Sequence, residues 1–135
     1  MIIESIPTIF QPKYTSNYPS YSSGKNMEEI FYEYFLKEQS NIHTNLVYLP
    51  IFWTSYYVIN GYGEHIEALY NWLEKLDKTK KYFTIVQYAS GIYIKKDISN
   101  LIVYSAGGGG LNYKSNSVKI ENFHNLTRHI FYGNT

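Results

Sequence analysis

Four glycines in a row, Gly107, Gly108, Gly109 and Gly110, follow an apolar run and could let backbone amides close on a phosphate. The competing reading is a flexible turn. A P-loop would continue into Gly-Lys-Ser/Thr, which this run does not, and no helical period follows it. Glu64 and His65 are the next candidates. Taking a proton from a hydroxyl nucleophile requires a carboxylate or an imidazole, and the two adjoin at the head of an amphipathic stretch, where a helix dipole also attracts an acid. Trp53, Tyr56 and Tyr88 offer flat rings, with the Thr54 hydroxyl beside the first. Such rings either stack on the C–H faces of sugars or fill a core. Tyr57 and Tyr62 belong to the same class.

Other chemistries lack their residues. The absence of cysteine removes thiolate nucleophiles, thiolate metal sites and disulfides, and makes the cytoplasm the expected compartment. His43, His124 and His129 show no ligand spacing, so no metal site is expected. Asp97 stands in KKDISN, a solvated-turn composition, and no Gly-x-Ser-x-Gly elbow is present. Twelve basic residues against eleven acidic give a net charge of +1, which supplies no field to gather nucleic acid. No apolar run reaches membrane-spanning length, and Glu4 and Pro7 interrupt the apolar start, so neither a span nor a signal peptide is expected. No cofactor is evident from these residues.

The elements that must position the candidates follow from periodicity. A chain of 135 residues supports one core, and a single α/β domain over residues 1–135 is expected. Residues 11–25 hold turn formers and read as a long loop. Met27, Ile30, Phe31, Tyr34 and Phe35 recur at helical spacing, which predicts a helix over 27–38. Asn26 is its N-cap, Glu29 stands at the capping-box position, and Glu28 adds charge favourable to the dipole. A buried strand is predicted over 46–52, with Pro50 near its end because proline cannot donate to a ladder. A second helix spans 64–77, followed by strands over 82–88 and 101–105, with a short piece at 92–94. The segment at 118–123 reads as a short strand; the rest of 111–135 has no clear period.

Strand, helix and strand in this order form a βαβ unit, so the predicted fold class is α/β, with an open, mostly parallel Rossmann-like sheet and flanking helices. Ligands on such sheets bind beyond the carboxyl ends of the strands. The rim loops there would hold 53–56, 87–91 and 105–110, which carry most of the candidates named above.

Tyr18, Pro19 and Tyr21, leading through Gly24 to Met27, Glu28 and Glu29, form one part of a wider pattern with YLPIFWT at 48–54 and KYFTIVQY at 81–88. Over about residues 10 to 110 this pattern resembles the N-terminal half of exostosin-like glycosyltransferases, particularly short members met in large DNA viruses and microbes. The resemblance implies two Rossmann-like domains facing a cleft, the nucleotide-sugar donor held by the second and the acceptor approached from the first. On that reading the chain is the acceptor-side domain. Its partner is a saccharide or glycan acceptor, and a separate donor-binding domain would complete it as a glycosyltransferase. Residues 111–135 depart from the pattern, as a truncated end would. Two alternatives stay open: a non-catalytic α/β interaction module or degenerate remnant, and a small nucleotide- or phosphate-binding protein using Gly107 to Gly110.

Overall fold

The computed structural model describes residues 2–13, 26–87, 92–93, 98–105, 111–112 and 119–122. Tyr18, Pro19, Tyr21, Gly24, Tyr88, Asp97, the four glycines 107–110, His124 and His129 lie outside the described residues. The helices are α1 (Met27–Glu38), α2 (Trp53–Ile59) and α3 (Ile66–Glu74). The strands are β1 (Val47–Tyr48), β2 (Tyr82–Val86), β3 (Ile92–Tyr93), β4 (Leu101–Ser105), β5 (Leu111–Asn112) and β6 (Lys119–Asn122).

Four strands pair in the order β1-β2-β4-β6, every pair parallel. Ile3 extends the sheet past β1 through a parallel bridge to Tyr48, and β3 pairs with β5 in a separate two-stranded sheet. The chain therefore has a small α/β fold built on a parallel sheet.

Side chains alternate across this sheet, as the strand period of two requires. Val47, Tyr82, Val86, Leu101 and Val103 join one apolar cluster, with Trp53 and Tyr56 from α2 and Leu69 and Leu73 from α3. Tyr48, Phe83, Ile85 and Tyr104 join the other, covered by Phe31 and Phe35 of α1. Helices thus cover both faces, which is why β2 is buried at every position. On the α1 face the aromatics interlock: Tyr48 stacks on Phe83 with centroids 5.1 Å apart and 16° between planes, and Phe35 meets Tyr48 at 4.6 Å.

The strand expected over 82–88 ends at Val86, and two larger changes each have a local reason. The strand expected over 46–52 leaves the ladder after Leu49, whose N–H donates to Phe83 O. Pro50 has no N–H, Ile51 N–H turns back to Leu49 O at 2.8 Å, and the chain enters α2 at Trp53. The segment 53–56, expected as a rim loop, is therefore helical. The second predicted helix is shorter than 64–77 because residues 60–65 form turns, with Gly61, Tyr62 and Gly63 all at positive φ.

The helix predicted over 27–38 has those bounds, but its buried face is rotated from the apolar stripe. Ile30 and Tyr34 are 56% and 47% exposed, while Glu28 is 1% exposed and shares the inward face with Phe31 and Phe35. Among the described residues no helix is long and apolar enough to cross a membrane.

Candidate functional site

A buried carboxylate organises the carboxyl edge of the sheet. Phe52, the N-cap residue of α2, supplies no side-chain cap, so the amides of its first turn need acceptors from elsewhere. Glu28 of α1 provides one: Thr54 N–H donates to its Oε1 at 2.8 Å, and the Thr54 hydroxyl donates to Oε2 at 2.6 Å. The N–H of Gln87, the first residue after β2, also donates to Oε2 at 2.7 Å. One side chain therefore joins the exits of two neighbouring parallel strands to the start of a third element.

Gln87 returns the connection. Its Oε1 accepts the N–H of Met27, the first residue of α1, at 2.5 Å. A second ring of contacts lies alongside. Asn26 Oδ1 accepts Glu29 N–H at 3.2 Å in the expected capping box, and Asn26 Nδ2 donates to Ser55 Oγ at 3.1 Å. Ser55 Oγ donates in turn to Glu29 Oε1 at 3.4 Å. Two successive acids at the head of α1 thus face two successive residues of α2.

Burial pushes the Glu28 carboxyl up to about 7, against the hydrogen bonds from the Thr54 hydroxyl, Gln87 N–H and Thr54 N–H, with Glu29 adding a further upward push. The geometry accommodates both protonation states. When Glu28 is ionised, the Thr54 hydroxyl donates to it; when Glu28 is protonated on Oε2, that O–H can donate to Thr54 Oγ1 while the two amides keep their acceptors. Tyr48, buried beside this group, has its phenol raised well above its usual value by burial and then by the Glu28 charge.

The sequence-derived candidates fall in different places. Thr54 is part of the Glu28 cluster. Trp53 and Tyr56, expected as rim rings, are core residues, 0% and 2% exposed. Trp53 Nε1 donates to Thr84 Oγ1 at 2.8 Å, and Tyr56 packs edge-on against Phe10 and donates its O–H to His65 O at 2.7 Å. The cause is the unforeseen α2, which turns both rings inward. Glu64 and His65 are exposed in the turn before α3. Glu28 makes its described hydrogen bonds with Thr54 and Gln87, so neither Glu64 nor His65 is joined to it. Tyr88 and the four glycines lie outside the described residues.

Glu28 is the site residue that sequence reasoning missed, whereas Gln87 falls in the expected rim stretch 87–91 without having been singled out. A signal for it existed: Glu28 stands three and seven residues before Phe31 and Phe35, on the face those rings mark as buried. Among the described residues no group of three histidines or acids could hold a metal. Comparison with protein-family models, curated proteins and solved structures finds no match for this chain.

Proposed function

We propose that the chain is a single, Rossmann-like ligand-binding domain that receives a saccharide acceptor at the carboxyl edge of its sheet, as the acceptor-side half of a glycosyltransferase-like enzyme. The observation that carries this reading is the Glu28 carboxylate, which ties Thr54 and Gln87 across two strand exits. Ligands of open parallel sheets bind at that edge, and a carboxyl shifted towards 7 by burial is a mark of functional sites. Glu28 is 1% exposed, so its role is to position the rim rather than to touch the acceptor. The nucleotide sugar would come from a separate domain. Thermal melts of the purified chain with oligosaccharide and nucleotide-sugar panels test the proposal. Saccharides should raise the melting temperature, because a ligand that binds only the native state stabilises it.

The saturation of Glu28 by three donors favours a second reading, a fold-keeping interaction module in which the carboxylate is a structural tie. That reading predicts no shift with any saccharide or nucleotide sugar.

A further inference from the structure

The opposite edge of the sheet carries a cleft of about 440 Å³. Leu46 precedes β1, residues 78–81 precede β2, and Ser99 and Asn100 precede β4, so the cleft lies where the parallel strands begin. Its described lining contains Lys78, Lys80 and Lys81 and no carboxylate. Lys78 Nζ is engaged in capping α3, donating to Glu74 O at 2.9 Å. That leaves Lys80, half-buried, and Lys81, exposed, as cations facing a depression whose apolar side is made by Ile102 over Leu46 and Tyr104.

The walls are braced. Asn100 Nδ2 donates to Asp77 O at 3.1 Å and to Lys80 O at 3.0 Å, so one side chain links the turn before β4 to the turn before β2. Asp77 Oδ1 accepts both Thr79 N–H at 2.9 Å and the Thr79 hydroxyl at 2.7 Å, which orders the lysine-bearing turn and commits its acid locally. The strand-start amides are satisfied as well: Val47 N–H donates to Lys81 O and Tyr82 N–H to Asn100 O. The edge is thus closed by its own backbone; Lys80 feels the Asp77 charge, and neither Lys80 nor Lys81 makes a side-chain hydrogen bond or ion pair with the described residues. The volume falls in the range of small-molecule sites.

We infer that this cleft binds a small organic anion that joins a phosphate group to an apolar ring or chain, with Lys80 and Lys81 on the phosphate and Ile102 against the apolar part. Two ammonium groups match a dianion better than a single carboxylate. The site is separate from the carboxyl rim, so it stands or falls independently of the saccharide reading.

The test is a titration followed by amide chemical shifts of the whole chain, using phenyl phosphate, with inorganic phosphate, phenol and benzoate as partial probes. Saturable shifts are expected at Thr79, Lys80, Ser99 and Asn100, with phenyl phosphate binding about tenfold more tightly than any partial probe. The double variant Lys80→Gln, Lys81→Gln should melt as the parent does and lose about tenfold in affinity, and added salt should weaken binding to the parent. Should that pair not fold, the single exposed change Lys81→Gln must weaken binding by itself. Absence of saturable shifts at these amides overturns the inference. So does unchanged affinity in the lysine variants, or binding that shifts Thr54 and Gln87 instead.

Discussion

Glu28 and Thr54, one on α1 and one on α2, are joined twice: the carboxylate accepts both the backbone N–H and the hydroxyl of Thr54, at 2.8 and 2.6 Å. The start of α2 is therefore capped in trans, by a helix on the other face of the sheet. A carboxylate placed at helix amides gains from their partial positive charge, while its burial costs solvation. The raised value of about 7 says that desolvation is the larger effect.

Stability should consequently fall as pH rises between about 4.5 and 7. The folded state holds the Glu28 proton to about 7, whereas an unfolded chain releases it near 4.5. Over that window the native state binds more protons, so its stabilisation, full below 4.5, is lost progressively and levels off above 7. The contribution is about 3 kcal/mol. Urea unfolding across this range should show the slope in the parent but not in Glu28→Gln. Equal slopes would show that Glu28 is not the group responsible.

Thr54→Val removes the hydrogen bond that does most to lower the Glu28 carboxyl, which should then titrate still higher than in the parent. Above pH 7 the variant should also lose about 1–3 kcal/mol, because a buried charge gives up a donor. Carboxyl-carbon NMR titration of Glu28 measures the first effect and chemical denaturation the second. A Thr54→Ser variant, which keeps the hydroxyl, should restore most of both.

Thr84 holds the Trp53 ring in register with β2. Its Oγ1 accepts Trp53 Nε1–H at 2.8 Å and donates to Leu49 O at 2.9 Å, all of it buried. Thr84→Val preserves shape and strands the indole N–H, while Leu49 O keeps the Ile51 N–H, a loss of about 2 kcal/mol with little change in volume. Thr84→Ser should cost less, although it removes a buried methyl. If valine proves no worse than serine in denaturant melts, the hydrogen bonds do not set the stability.

The turn between α2 and α3 is strained at one residue and dependent on glycine at another. Gly63 sits at φ +114, and an added Cβ would lie 3.1 Å from Tyr57 Cε1. Gly63→Ala should therefore destabilise by about 1–3 kcal/mol. Tyr62, at φ 58, occupies the left-handed region that a side chain disfavours. Tyr62→Gly relieves that strain but gives up the edge contact with Tyr57, whose centroid is 6.0 Å away, so its net effect should stay within about 1 kcal/mol. Thermal melts of the two variants should differ clearly, with the Gly63 change the more damaging.

Local patterns in the sequence were enough for much of the framework. The capping box of Asn26 and Glu29 and the bounds of α1 follow from spacing alone, and the run 101–105 reads as the strand it is. The order strand, helix, strand was enough to expect a parallel sheet. These features depend on contacts within one or two turns of chain, so nearby residue types decide them.

Long-range packing decided the rest. Trp53, Tyr56 and Thr54 read as a polar, aromatic rim; the break at Pro50 turned them into a helix, and Thr84 and Glu28 supplied distant partners for two of them. Glu28 itself reads as an ordinary acid at a helix start, and its place under Thr54 and Gln87 depends on how α1 is rotated against the sheet. That rotation is set by the aromatic stack of Phe35, Tyr48 and Phe83, residues on three different elements. The sequence by itself determined α1, α3 and the central strands β2 and β4 to within a few residues, though not α2, because those choices are local. Only the tertiary structure decided which face of α1 points inward and hence that an acid is buried at the strand exits, because that outcome is a balance among contacts separated by tens of residues.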